Sequence, residues 1–374
     1  MRGYDRALVQ RMREMQRYID VDGMRTLLKP VPDAAEHEVD PRLVGVIENK
    51  RRMLADRGSR PFCLSDERSR PDKVTYNLCE GEVERDERLI DVDGDHFINA
   101  YVYRSKGAGS GAPVMVYLHG GGFIAGDVSL FDNQMRLVAE ASGGVVVFPE
   151  YRLAPESPFP AATQDAWAAV RWAFEHAAEY GADARRLMVA GDSAGGSLAN
   201  SCALADEKGI IAELFEIYPL WDKGDYRSQS AYEWSYDAYE FAGDHAPLAR
   251  SRIEKMRARA EDDPECRKNL YIQGRVNPRD PRISALWASD EQLARFPKTV
   301  IASSEFDYLR VSSDCAVRRL RSLGVEVTSI RYGGVDHGFF DMLGTLVQAE
   351  ELALTMAEEL RSLGIRGDRR DASC

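Results

Sequence analysis

The sequence has no apolar run long enough to cross a membrane and no excess of basic charge. Its apolar stretches, such as Val145 to Phe148, are far shorter than the roughly 20 residues of a membrane-spanning helix. Lysines and arginines number 49 against 61 aspartates and glutamates, a formal net charge of −12. Because nucleic acids and anionic membranes are bound by basic faces, we expect neither as a partner. Charged residues at Arg2, Asp5 and Arg6 interrupt any signal-peptide core, so we expect a cytoplasmic protein.

Cysteines are few, and none forms a C-x-x-C pair. The six are Cys63, Cys79, Cys202, Cys266, Cys315 and Cys374. Spacings this wide indicate reduced thiols rather than a disulfide scaffold. The only pattern that resembles a metal site is the start of a calcium loop at Asp91, Asp93 and Asp95. Position six of that loop is His96 rather than glycine and position twelve is Val102 rather than glutamate, so we predict a hairpin turn and no metal or cofactor.

The spacing of apolar residues divides the chain into three parts. Residues 1–80 read as an N-terminal helical cap segment, with one helix through Tyr18 and Ile19 and a second from Asp40 to Arg57. Residues 81–221 and 284–374 alternate short Val-rich strands with helices, which predicts an α/β domain with a mostly parallel central sheet and helices on both faces. Residues 222–283 are polar and rich in tyrosine, and we interpret them as a cap insertion over one end of the sheet.

The strongest single motif is G-x-S-x-G at residues 191–195, which follows an apolar strand and precedes a helix of small residues. A tight strand-to-helix turn of this kind exposes the serine hydroxyl at the carboxyl end of a sheet. The glycines are needed because any side chain at the flanking positions would block the turn. Ser193 is therefore the candidate nucleophile.

A second glycine-rich loop, His119-Gly120-Gly121-Gly122-Phe123, also follows a strand. Consecutive glycines free backbone N–H groups to point at one spot, as an oxyanion hole requires. The alternative is a dinucleotide-binding loop, since Gly120, Gly122 and Ala125 spell G-x-G-x-x-A and Glu150 closes the next strand. That alternative leaves His119 and Ser193 unexplained.

A serine hydroxyl needs a base, and His337 is the best placed of the six histidines. It lies in a glycine-flanked loop after the last predicted strand, where the base of this architecture is expected. The carboxylate that orients it should lie between Ser193 and His337. Asp307 follows the strand that begins at Lys298 and is the first choice, Asp222 is the second, and a solvated surface role for Asp307 stays open.

Taken together, these motifs resemble the hormone-sensitive-lipase-like group of α/β-hydrolases, the bacterial carboxylesterases. The resemblance covers roughly residues 85–221 and 275–360 and rests on six motifs in the order of that group. They are residues 119–123, 151–156 with the prolines after them, 191–196, 280–284, the acid loop at 307 and 337–339. One departure is Tyr308, where the group usually has proline after the acid.

The resemblance implies an α/β-hydrolase fold with a helical cap and a serine carboxylesterase without a cofactor. It implies Ser193 as nucleophile, His337 as base and Asp307 as orienter, with the backbone amides of Gly121, Gly122 and Ala194 as the oxyanion hole. The expected partner is a small-molecule ester, short-chain or aromatic, and a homodimer paired through the last strand is a further expectation. The same triad also serves amidases and acyltransferases, and a non-catalytic ligand-binding protein can keep the scaffold.

Overall fold

A computed structural model of the chain describes residues 2–55, 63–69, 74–106, 109–223, 232–261 and 267–364. In this part of the chain ten strands form a single sheet. They are β1 (Arg17–Val21), β2 (Met24–Lys29), β3 (Val83–Asp91), β4 (Phe97–Ser105), β5 (Ala112–Leu118), β6 (Val145–Pro149), β7 (Ala182–Asp192), β8 (Glu213–Ile217), β9 (Lys298–Phe306) and β10 (Val327–Asp336). Their order across the sheet is β1-β2-β10-β9-β8-β7-β5-β6-β4-β3.

Seven neighbouring strands, from β2 to β6 in that order, run parallel. The antiparallel pairs lie at the two ends of the sheet. At one end β1 pairs with β2, and at the other end β4 pairs with β6 and β3 pairs with β4. Because parallel strands end at the same edge, the loops after β5, β7, β9 and β10 lie together at the carboxyl edge. The predicted mostly parallel sheet is confirmed.

Helices cover both faces of this sheet, as predicted. The described helices are α1 (Ala7–Met15), α2 (Pro41–Ala55), α3 (Leu64–Ser69), α4 (Val128–Ser142), α5 (Ala161–His176), α6 (Ala194–Ala205), α7 (Ala246–Glu261), α8 (Arg267–Ile272), α9 (Asp290–Leu293), α10 (Arg310–Ser322) and α11 (Val347–Ser362). Successive side chains of β5 alternate between two buried cores: Val114 and Val116 face α5, α6 and α10, whereas Met115 and Tyr117 face α4 and α11. This alternation explains why the strand reads as a continuous apolar run.

The prediction of an entirely helical N-terminal segment is wrong for residues 17–29. Helix α1 ends at Met15, and Tyr18 and Ile19 belong to β1 rather than to the helix. An Asp22-Gly23 turn with positive φ at both residues joins β1 to β2, a hairpin signal that the helical spacing before it concealed. The physical reason is non-local: β2 hydrogen-bonds along β10 and completes an edge of the sheet that would otherwise be unpaired.

The position of β2 corrects the expected mode of pairing through the last strand, whereas the dimer itself stays a prediction. Strand β10 pairs with β9 on one side and with β2 on the other, so its outer edge is occupied by the chain's own N-terminal strand. Pairing of two copies through the last strand therefore has no open edge to use.

The second predicted helix is observed as α2, and Arg57 lies outside the described residues.

The structure also bears on the expectations for the Asp91 to Asp95 turn, the cysteines and membrane-spanning helices. Asp91 to Phe97 form the β3–β4 turn, in which Asp93 pairs with His96 at 2.9 Å. Cys63, Cys79 and Cys202 are free thiols, whereas Cys266 and Cys374 lie outside the described residues. Within the described ranges, no helix is both long and apolar enough to span a membrane.

The N-terminal strand is held on the core by a buried charge network around Glu351. Lys29 at the end of β2 donates to Glu351 Oε1 at 2.8 Å, and the two side chains are 6% and 0% exposed. The hydroxyls of Tyr332 and Thr355 donate to the same carboxylate at 2.7 and 2.9 Å. Since a buried carboxylate is tolerated only when paired, Lys29 links the position of β2 to the stability of the core.

We predict that Lys29→Met lowers the free energy of unfolding by about 3 kcal/mol, because it removes the buried cationic partner of Glu351 and leaves only the partly exposed Arg13, whose Nε lies 3.3 Å from Oε1. The matched control is Lys106→Met, which removes a lysine paired with Glu82 where both side chains are more than half exposed. That control should leave the free energy of unfolding close to the wild-type value, because exposed ion pairs contribute little to stability. Urea unfolding followed by circular dichroism measures both, and equal losses would contradict the assignment of Lys29 as a core anchor.

Candidate active site

Ser193 occupies the turn between β7 and α6. Its backbone has φ 54° and ψ −113°, a strained conformation for a residue with a side chain, and its N–H donates to the Ile217 carbonyl at 2.9 Å. A Cβ at Gly195 would lie 1.8 Å from the Leu118 carbonyl oxygen, so the helix can approach β5 this closely only without a side chain there. The hydroxyl of Ser193 thus lies at the N-terminus of α6, where negative charge is favoured.

Three predicted residues come together at the carboxyl edge of the sheet. Ser193 Oγ lies 2.9 Å from His337 Nε2, and His337 Nδ1 lies 2.7 Å from Asp307 Oδ2. Asp307 follows β9 and His337 follows β10, so adjacent parallel strands deliver them side by side. The His337 side chain is 15% exposed and that of Asp307 is 1% exposed. The arrangement can pass a proton from the hydroxyl to the ring while the carboxylate holds the other ring nitrogen.

The imidazole of His337 lies among carboxylates. Burial by itself lowers the pKa of His337, but the charge and the hydrogen bond of Asp307 outweigh it and raise the pKa above its ordinary value of 6.5. Asp192 and Asp341 act in the same direction. The ring of Tyr218 packs against the imidazole, with 4.8 Å between the ring centres. These carboxylates favour the imidazolium, the form of the ring that carries a second proton.

The glycine loop after β5 adopts backbone conformations that favour glycine. Gly121 has φ 137°, and a Cβ there would lie 1.8 Å from the Ala125 carbonyl oxygen. The buried His119 ring accompanies the loop: it stacks on Tyr151 at 4.2 Å, and its Nδ1 lies 2.8 Å from the Gly120 carbonyl oxygen. The loop is therefore a packed, fixed structure rather than a flexible connection.

Asp192 joins the serine turn to this glycine loop, a role that the sequence motif did not predict. Its Oδ1 accepts hydrogen bonds from the backbone N–H of Gly120 at 2.6 Å and from the hydroxyl of Tyr117 at 2.9 Å. Burial, together with the charge of Asp341, raises the pKa of Asp192 to about 7. The motif G-x-S-x-G accepts any residue at this position. An aspartate directly before the serine is the sequence signal that could have indicated the anchor.

Two other acids singled out in the sequence, Asp222 and Glu150, have hydrogen-bond partners other than Ser193, His337 and Asp307. The second choice of acid, Asp222, accepts from the Trp287 indole N–H at 3.2 Å, whereas Asp307 is the carboxylate on the His337 ring. Glu150, the acid of the alternative dinucleotide-binding loop, accepts from the Val128 N–H at the start of α4.

His37 lies in a turn with φ 64°. Its Nδ1 lies 2.7 Å from Glu305 Oε1, and its Nε2 lies 3.0 Å from Glu240. Two other histidines have surface carboxylate neighbours: His96 pairs with Asp93, and His176 pairs with Glu179. None of these three rings lies on the triad.

Comparison with known proteins agrees with this geometry. Residues 115–341 match the family described as the alpha/beta hydrolase fold. Esterase LipI of Mycobacterium tuberculosis is 34% identical over 64% of this chain and 69% of its own length, and carboxylesterase NlhH of the same species is 32% identical over 72% and 80%. A thermostable esterase structure from Pseudomonas putida ECU1011 superposes with TM-score 0.69 and 27% identity, over 88% of this chain and 99% of that chain. The chain belongs to the α/β-hydrolase fold family and, within it, to the hormone-sensitive-lipase-like group that its motifs resemble.

Proposed function

We propose that this protein is a serine carboxylesterase that hydrolyses short-chain or aromatic esters through Ser193, His337 and Asp307. The observation that carries the proposal is the continuous hydrogen-bonded line from Ser193 Oγ through the His337 ring to Asp307 Oδ2. LipI and NlhH, which match this chain over 69% and 80% of their own lengths, are named an esterase and a carboxylesterase. These names support an ester as the substrate class.

In the first half of the reaction, His337 Nε2 takes the proton of Ser193 Oγ as the oxygen attacks the ester carbonyl. Asp307 holds Nδ1 and balances the positive charge that forms on the ring. The tetrahedral oxyanion then needs donors, which we assign to the backbone N–H groups of Gly121, Gly122 and Ala194. His337 returns its proton to the leaving alcohol, and an acyl-enzyme on Ser193 remains.

In the second half, water replaces the alcohol. His337 removes a proton from the water as its oxygen attacks the acyl carbonyl, and the same amides stabilise the second oxyanion. Collapse of that intermediate returns the proton from His337 to Ser193 Oγ and releases the carboxylic acid. Every proton transfer runs through one ring nitrogen, so the 2.9 Å distance between Ser193 Oγ and His337 Nε2 is the critical dimension.

We also propose a division of the chain into a catalytic domain and a cap. We assign residues 81–221 and 284–374 to the catalytic domain, and residues 222–283 to a cap insertion. Of the N-terminal segment 1–80, the strands β1 and β2 belong to the catalytic sheet. The described part of the insertion places Trp234 and Tyr239 beside Tyr308, next to the acid loop, with the Trp234 and Tyr308 ring centres 5.8 Å apart. Such a packed aromatic cluster favours compact or aromatic esters over long, flexible acyl chains.

We expect Ser193→Ala and His337→Ala to lower kcat for ester hydrolysis by about a thousandfold or more, because each removes a member of a unit that acts together. Matched controls are Ser201→Ala in α6 and His176→Ala on the surface of α5, which should retain wild-type turnover. Stopped-assay hydrolysis of nitrophenyl butyrate measures all four variants. Wild-type turnover by purified Ser193→Ala would remove this serine from the mechanism.

The pH dependence follows from the raised pKa of His337. The ring accepts the serine's proton only when neutral, so the acid limb of kcat/KM should have its midpoint above pH 6.5, with activity lost as pH falls through it. Asp307→Asn removes the charge that raises the pKa, so its limb should move to lower pH while kcat falls by about three to four decades. A limb that stays in place in Asp307→Asn would show that another group controls it.

Acyl preference tests the role of the aromatic cluster. Across nitrophenyl esters from acetate to palmitate, kcat/KM should be highest for short acyl chains and fall steadily toward palmitate. Trp234→Ala removes part of the cluster beside Tyr308 and should reduce this discrimination. A wild-type profile that peaks at the longest chains is the outcome that contradicts the short-ester assignment.

A further inference from the structure

Helix α7 of the insertion docks on the loop that carries the proposed base. Arg252 Nε donates to Asp336 Oδ2 at 2.5 Å, and Asp336 directly precedes His337. The Asp336 side chain is 4% exposed and that of Arg252 is 25% exposed, so the carboxylate lies inside the protein and the guanidinium reaches it from the cap side. The helix is seated there by Ala249 and Ile253, which are buried in the core shared with β9 and β10.

The same insertion also contacts the loop of the proposed acid. The hydroxyl of Tyr239 donates to the Asp307 carbonyl oxygen at 2.8 Å, and the Arg310 guanidinium donates to the Ala238 carbonyl oxygen. One continuous stretch of the insertion is therefore fastened to both loops that form the triad. Movement of this stretch would alter the backbone at Asp307 and the charge environment at His337 together.

Arg252 is the charge partner that makes a buried Asp336 tolerable. Within the described residues, it is the only cation within ion-pairing distance of this carboxylate: Arg252 donates to Oδ2, and Oδ1 accepts no hydrogen bond. A buried carboxylate that loses its partner is left as an uncompensated charge. Here that charge would lie one residue from the imidazole.

We propose that Arg252 is a positioning residue that acts through Asp336: it fixes the loop that carries His337 and neutralises the carboxylate that directly precedes His337 in the chain. The inference rests on the proposed function for the role of His337, but it concerns a different group, since Arg252 does not contact the triad. It makes the basicity of the triad depend on whether α7 is docked.

The direction of the electrostatic effect follows from the charges around His337. Asp307 faces the ring from the β9 end, Asp192 from the β7 end and Asp341 from the short helix after β10, while Tyr218 contributes an aromatic ring from the β8 end. The α7 side adds the Arg252–Asp336 pair, which is neutral overall. Removing the arginine adds net negative charge and favours the imidazolium, whereas removing the carboxylate adds net positive charge and disfavours it.

The test measures the His337 imidazole directly, by NMR titration of the ¹⁵N-labelled enzyme with the His337→Ala spectrum for assignment. Relative to wild type, Arg252→Met should raise the midpoint of the ring titration by about half a pH unit or more, and Asp336→Asn should lower it by a similar amount. The double variant Arg252→Met/Asp336→Asn should return close to the wild-type midpoint. The acid limb of kcat/KM should move in the same directions.

Two further variants separate this role from a merely structural one. Arg252→Lys keeps the positive charge and should keep the midpoint, whereas Arg250→Met removes an exposed arginine of the same helix that stacks on Tyr236 and should leave it unchanged. Shifts of the same sign in Arg252→Met and Asp336→Asn, or no shift in either, would overturn the proposal. Because the NMR midpoint does not depend on turnover, this result stands apart from the fate of the esterase assignment.

Discussion

The structure depends on one constraint: a serine hydroxyl and an imidazole nitrogen must meet at hydrogen-bond distance, although 144 residues separate them in the chain. The parallel sheet satisfies it, because β7, β9 and β10 all end at the same edge. The close approach of the α6 backbone to β5 is also required, since a side chain at Gly195 would collide with β5 and push the serine turn away. The 2.9 Å contact is thus a product of sheet topology and of missing side chains rather than of the triad residues alone.

Much of this site could be predicted from the sequence because its determinants are local. A serine in a glycine-flanked turn after an apolar strand, a glycine run after another strand and a histidine after the last strand are each readable in a few residues. Alternating strands and helices then fix the fold class, and parallel strand ends bring the three loops to one edge. Asp307 could be favoured over Asp222 by its place after β9, and only the hydrogen bond to the His337 ring distinguishes the two geometrically.

What sequence reasoning missed has non-local causes. Apolar residues through Tyr18 and Ile19 have helical spacing, but this segment forms the hairpin β1–β2 because β2 pairs with the outer edge of β10. Local sequence gives no signal for the partners of Asp192, His37 and Asp336, because those partners lie on other elements: the Gly120 amide, Glu305 and Arg252. These contacts show that the N-terminal segment and the insertion both reach the strand ends that carry the triad.

The measurement that tests the central claim most directly is mass spectrometry of a covalent adduct on the activated serine. The enzyme is treated with a fluorophosphonate, which reacts with activated serines, and the modified residue is located by peptide fragmentation. The account predicts one adduct per chain, on Ser193, formed at a rate that falls by several decades when His337 is replaced by alanine. An adduct on another residue, or labelling of Ser193 that is as fast without His337, would contradict it.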